Sequence, residues 1–119
     1  MKVNVLGTEY TIETVKVSEC DYLRNNNLCG VCKWRERRIL VADTSEEGYF
    51  VLSTEEAQRA YTKEITRHEI IHAFLYESGL CDNSHTFDRS GWAVNEEMVD
   101  WFALQSPKIF KAFEEAGCL

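Results

Sequence analysis

Residues 53–79 read STEEAQRAYTKEITRHEIIHAFLYESG, and the folding of this run decides the rest of the chain. Ser53 with Glu56 three residues later makes a capping box, and Glu55 and Glu56 place negative charge in a first helical turn, where the backbone dipole favours it. Gly79 is positioned to take the left-handed conformation that ends a helix. A helix over residues 54–78 is therefore predicted. Its first half is mostly polar, whereas Ile70, Ile71, Ala73, Phe74 and Leu75 point round nearly the whole circumference, so the second half is expected to be buried. His68, Glu69 and His72 lie in that half. Burying two imidazoles and a carboxylate costs several kcal/mol unless something compensates their charge, and a metal ion would do so.

Residues four apart on a helix share a face, so His68 and His72 can offer ring nitrogens to one zinc ion at about 2.0–2.1 Å. Glu69 projects about 100° further round, beside the position left open, which is the place of a general base. A catalytic zinc site usually takes three protein ligands and a water, so a third ligand is required. Glu96, Glu97 and Asp100 fall on a second apolar segment, and Glu96 and Asp100 are again four apart. Glu96 as third ligand and Asp100 as acceptor for the free ring N–H of a ligating histidine is the favoured assignment. His85, in the polar stretch of residues 81–90, is the alternative ligand.

With these residues in place, Val94-Asn95-Glu96-Glu97-Met98-Val99-Asp100 downstream of His68-Glu69-Ile70-Ile71-His72 resembles the two-helix signature of the gluzincins, metallopeptidases that pair HExxH with a later Asn-Glu-x-x-x-Asp. The likeness covers residues 60–105. It implies a zincin-like fold, a zinc-dependent peptidase activity on a peptide or protein substrate, His68, His72 and Glu96 as zinc ligands, Glu69 as base and proton shuttle, and Asp100 behind an imidazole. The size and layout resemble minimal gluzincins and short zinc metallopeptidases of phage and prophage genomes, some related to the ImmA/IrrE type. The run beyond the likeness is short, so the second domain that supplies a transition-state-stabilising His or Tyr in large gluzincins is not expected here. His85, Tyr76 and Tyr49 are the candidate oxyanion donors, with no preference among them, and His85 reads equally as a solvated loop histidine. Without such a donor, the alternative function is a catalytically weak zincin-fold regulator that acts by binding a protein partner.

Working outward, Val3-Asn4-Val5-Leu6 and Tyr10-Thr11-Ile12 around Gly7-Thr8 predict a hairpin. The apolar phase changes between Ile12 and the pair Val15 and Val17, which predicts a bulge or bend. Residues 18–30 read as a loop or short helical turn. Residues 31–34 and 38–42 predict a second hairpin around a basic turn, and residues 49–52 a further short strand, a candidate edge for an extended peptide. Trp92, Ala93, Val94, Met98, Val99, Trp101, Phe102 and Leu104 suit a second buried helix. Ser106-Pro107 has the form of a cap followed by proline at a first helical position, so a third helix over residues 107–116 is expected. It is also a candidate to cover the cleft. Strands first and helices after make an α+β domain, with helices on a small antiparallel or mixed sheet and residues 1–119 forming one unit.

Apolar residues form 45% of the 119, charged residues 28%, and the formal charge is −7, values of an ordinary globular domain. That charge argues against a nucleic-acid partner, which needs a basic face to release counterions. The one basic cluster, within residues 33–38, reads as an exposed turn with a second use open to it, the choice of substrate or partner. No apolar leader or membrane-length run is evident, and five cysteines cannot all pair, so a cytoplasmic protein with reduced thiols and no membrane partner is expected. Cys29-Gly30-Val31-Cys32 has zinc-knuckle spacing, but lacks the second Cys pair that a structural site needs.

Overall fold

A computed structural model describes residues 1–82 and 91–119. Strands β1 (Lys2–Val5), β2 (Thr8–Val15), β3 (Gly30–Lys33) and β4 (Arg38–Ala42) form one sheet in the order β1-β2-β4-β3. The β1–β2 and β3–β4 pairs are antiparallel, and β2 runs parallel to β4, so the sheet is mixed. Among the described residues, three α-helices accompany it: α1 (Asp21–Asn26), α2 (Glu55–Glu77) and α3 (Glu96–Glu115). The class is α+β. Among the described residues, no helix is long and apolar enough to cross a membrane.

The first hairpin forms because Val3 and Val5 alternate with polar residues and meet Tyr10 and Thr8 across the pair. Its two-residue turn is Leu6-Gly7, not Gly7-Thr8, and both residues have positive φ, 50° and 89°, as a type I′ turn demands. β2 runs straight through the expected bulge. Tyr10 and Ile12 join the core beneath α2, whereas Val15 packs with Val17, Leu23 and Ala42 on the opposite face under α1. The change of apolar phase therefore marks a strand buried first on one face and then on the other.

Residues 49–52 form no strand. The free edge beside α2 belongs instead to β3. The fold of the second hairpin is as expected, with a 3-10 turn over Trp34–Glu36 and Arg37 in the left-handed region at φ 52°.

The α2 cap sits one residue later than the sequence suggests. The Thr54 hydroxyl accepts from the Ala57 N–H at 3.1 Å, which leaves Glu56 outside the capping-box position. Gly79 takes the expected left-handed conformation, φ 82°. Ile65 and Ala73 pack on the sheet with Val5, Tyr10, Ile12, Ile39 and Val41, while Leu75, with Ile71, packs toward α3 against Val99. Phe74 faces outward, so the second half of α2 is not enclosed all round.

The expected pair of C-terminal helices is a single helix. Trp92–Val94 is a separate 3-10 turn, Asn95 caps α3 by accepting from the Met98 N–H at 2.8 Å, and α3 continues unbroken through Pro107. Residues 107–116 therefore form no separate helix to fold back over the cleft. Proline at 107 deprives the Ala103 carbonyl, four residues earlier, of its helical donor. Arg67 on α2 supplies a replacement, its Nε–H donating to that oxygen at 2.6 Å. Nor is α3 mostly buried: Val99 and Ala103 are covered, but Trp101, Phe102, Leu104, Phe110 and Phe113 are exposed.

Arg67→Met should destabilise the protein by about 1.5–3 kcal/mol, the cost of removing a charged donor from a buried carbonyl. In a Pro107→Ala background, where a helical N–H returns, the same substitution should cost clearly less. Urea unfolding of the four proteins in this cycle measures the difference.

Candidate metal centre

α2 and α3 bring Glu96 to the two histidines, which precede it in sequence by 28 and 24 positions. His68 and His72 stand one turn apart on α2, and Glu96 is the first residue of α3, fixed there by the Asn95 cap. His68 Nε2 lies 3.1 Å from His72 Nε2 and 3.0 Å from Glu96 Oε2, and His72 Nε2 lies 3.1 Å from Glu96 Oε1. On the far side of the ring, His68 Nδ1 is 2.8 Å from Asp100 Oδ1. That contact places the Nδ1 proton toward Asp100 and turns Nε2 inward.

Three potential ligand groups at this spacing could hold a metal ion. Zinc with bonds of about 2.0–2.1 Å in a tetrahedron needs ligand atoms about 3.3 Å apart, close to what His68, His72 and Glu96 present. Two imidazoles and one carboxylate are also a donor set of catalytic zinc, which keeps a position open for water or substrate. The histidine side chains are 19% and 13% exposed, whereas Glu96 is 66% exposed, so the open side lies toward solvent.

Glu69 is held apart from the ligands. Its Oε1 lies 4.0 Å from His68 Nε2, on the flank of α2 that faces β3, and its side chain is 7% exposed. Burial pushes its carboxyl pKa above the ordinary value; the charges of His72 and His68 pull it back, Glu96 adds to the rise, and a hydrogen bond from the Cys32 backbone N–H lowers it again. The balance remains upward. For His68, burial works against the cation, but the Glu96 hydrogen bond and the charges of Glu69, Glu96 and Asp100 prevail and raise its pKa. Glu96 is held far below the usual carboxylate range by hydrogen bonds to His68 and His72.

Three contributors escape motif reading. At Gly30, a Cβ would stand 2.8 Å from Glu69 Oε1 and 2.8 Å from Ile65 Cγ2, so β3 can approach the carboxylate because residue 30 has no side chain. The Cys32 N–H is available to Glu69 because Cys29 directs its carbonyl to Ala42 on β4, and in an antiparallel pair alternate residues then turn their main-chain groups to the free edge. The glycine in Cys29-Gly30-Val31-Cys32 was the only available signal, and it reads equally well as a turn. Tyr61 was also missed; its hydroxyl donates to Cys29 Sγ at 3.5 Å in a cleft of about 250 Å³ that includes His68, Glu69 and Glu96.

Of the expected oxyanion donors, Tyr76 has its ring 6.5 Å from that of His72. Tyr49 lines a different cleft, with Leu23, Leu28 and Phe50. His85 lies outside the described residues, both as donor and as alternative ligand. Cys29 and Cys32 pack against the core beside α2, and among the described residues the cysteines are free thiols and no Cys-containing group has metal-ligand geometry. Compared with known proteins, the chain matches no family model, no curated protein and no solved structure.

Titration of metal-free protein with zinc should give one site per chain. Asp100→Asn should weaken that site by about 10- to 100-fold, the usual cost of losing the partner that orients a ligating imidazole. Glu96→Ala, which removes a ligand, should weaken it more. Stoichiometric zinc of unchanged affinity in Glu96→Ala would contradict the assignment.

Proposed function

We propose that the protein is a zinc-dependent hydrolase of the gluzincin type that cleaves peptide bonds, with His68, His72 and Glu96 holding the metal and Glu69 as catalytic base. The observation that carries this reading is the separation of roles among four clustered groups: three converge on one point, while the buried carboxylate of Glu69 stands just outside it. A closed structural site would leave Glu69 without a task. Zinc bound there supplies Lewis-acid polarisation of a scissile carbonyl and lowers the pKa of a bound water toward 7.

The protein's own groups divide the remaining work. Glu69 accepts the proton released by the attacking water and delivers it to the leaving amine nitrogen; a carboxyl raised by burial is better matched to that shuttle near neutral pH. The Cys32 N–H keeps Glu69 oriented, and Asp100 holds the His68 ring. The edge of β3 is the natural place for an extended peptide, since Gly30 and the carbonyl of Cys32 direct main-chain groups away from β4.

A second reading, a zincin-fold regulator that works by docking to another protein, draws on the apolar side chains of α3 beyond Ala103, where Leu104, Phe110 and Phe113 stay exposed. Glu69→Gln separates the two. It should reduce peptide hydrolysis by about 10²–10⁴-fold while leaving zinc affinity nearly unchanged. A biological effect that survives intact in this variant favours the regulator.

Gly30→Ala gives an independent check on the strand–carboxylate approach. The added methyl must displace Glu69 or Ile65, so kcat/KM should fall on the order of 100-fold with zinc still bound. Wild-type turnover in Gly30→Ala would show that the placement of Glu69 against β3 has no bearing on catalysis.

A further inference from the structure

We infer that Arg35 is a specificity-determining residue that binds a carboxylate of the substrate at one end of the cleft; this rests on the hydrolase reading above and names the substrate chemistry for it. β3 lies along α2. Gly30 stands against Glu69, and Trp34, just past the strand, stacks on Tyr76 with ring centres 5.2 Å apart and planes 7° from parallel. The chain therefore passes the metal ligands and carries Arg35 to the far end. There its guanidinium carbon sits 4.3 Å from the centre of the Trp34 ring. Arg35, Trp34, Tyr76 and His72 line one cleft of about 610 Å³ that also includes Glu96.

The stack is what distinguishes Arg35 from an ordinary surface arginine. An arginine laid on an indole keeps its planar fork in a limited set of orientations, so less freedom is lost when it grips a carboxylate through two parallel hydrogen bonds. Arg38, three residues on, is engaged with Glu13 and Glu36, and Arg37, also without an ion pair among the described residues, does not line this cleft. Arg35 makes no ion pair among the described residues, in a chain with 20 acidic against 13 basic side chains. Two acids share its cleft. Glu96 is committed to the metal in this scheme, and Asp82 is exposed and forms no ion pair with Arg35. An unpaired guanidinium held on a rigid platform beside a hydrolytic centre suits an anionic group of the substrate, either an Asp or Glu side chain or a free C-terminal carboxylate.

The test measures binding, not turnover, on zinc-loaded protein. Two pairs of peptide hydroxamates serve as probes. In one pair, acyl-Glu-Leu-hydroxamate is compared with acyl-Gln-Leu-hydroxamate, which places the carboxylate before the metal-binding group. In the other, hydroxamate-succinyl-Leu-Ala with a free C-terminus is compared with its amide, which places it after. Calorimetric titration of wild type should show one acidic probe binding about tenfold or more tighter than its neutral twin, as a charge-assisted bidentate contact would give. That preference should vanish in Arg35→Gln and be partly kept in Arg35→Lys. The pair that shows it identifies the source of the carboxylate. Equal affinity within both pairs in wild type, or a preference that survives Arg35→Gln, overturns the assignment of Arg35 and leaves the hydrolase reading standing. Zinc-loaded protein that binds none of the four probes overturns both.

Discussion

Helix α2 packs on two partners at once, and the strip of its surface between the two contacts is where polar side chains can survive. Ile65 and Ala73 are committed to the sheet, and Leu75, with Ile71, to α3. His68 and His72 occupy the strip between, and α3 crosses so that its first turn closes over them. Each feature of the site follows from that crossing. Glu96 is available because it begins α3, Asp100 because it stands one turn further along, and Glu69 is kept apart from the convergent groups because it lies on the sheet side of the strip.

The cost of the arrangement is a buried carboxylate, and the surroundings of Glu69 offset it. Two imidazoles and the Cys32 N–H favour its charge, against burial and the nearby charge of Glu96. These partners come from different elements, so the carboxylate ties α2 to the edge strand. Gly30 allows the approach. The same edge continues into Trp34, whose stacking on Tyr76 anchors the basic turn to α2 and extends the cleft beyond the ligands. Fold and site are thus joined along a single line from β3 to the turn.

Where local signals misled, a partner distant in sequence had changed their meaning. Pro107 after Ser106 has the form of a helix start, yet α3 passes through it because Arg67, forty residues earlier, takes over the orphaned Ala103 carbonyl. The altered apolar phase after Ile12 suggested a bulge, but it records α1 covering the opposite face of a straight strand. Residues 49–52 have strand-like composition but pair with no strand among the described residues. The aromatic residues of α3 suggested burial, but α3 buries only the face carrying Val99 and Ala103; Trp101 and Phe102 lie off that face, and Phe110 and Phe113 lie beyond it.

The sequence by itself determined what depends on near neighbours along the chain: the two hairpins, the long α2 with its stop at Gly79, the shared face of His68 and His72, and the shared face of Glu96 and Asp100. Helical and strand periodicity put those residues in register whatever the rest of the chain does. Only the tertiary structure decided how the two halves of the site meet, that β3 and not residues 49–52 forms the free edge beside it, that Gly30 and the Cys32 N–H serve Glu69, and that Arg35 reaches the cleft. Those relations depend on the crossing of α2 and α3 and on the order of strands. Both are set by the burial of apolar surface over the whole domain, a non-directional force that leaves no fixed spacing in the sequence to read.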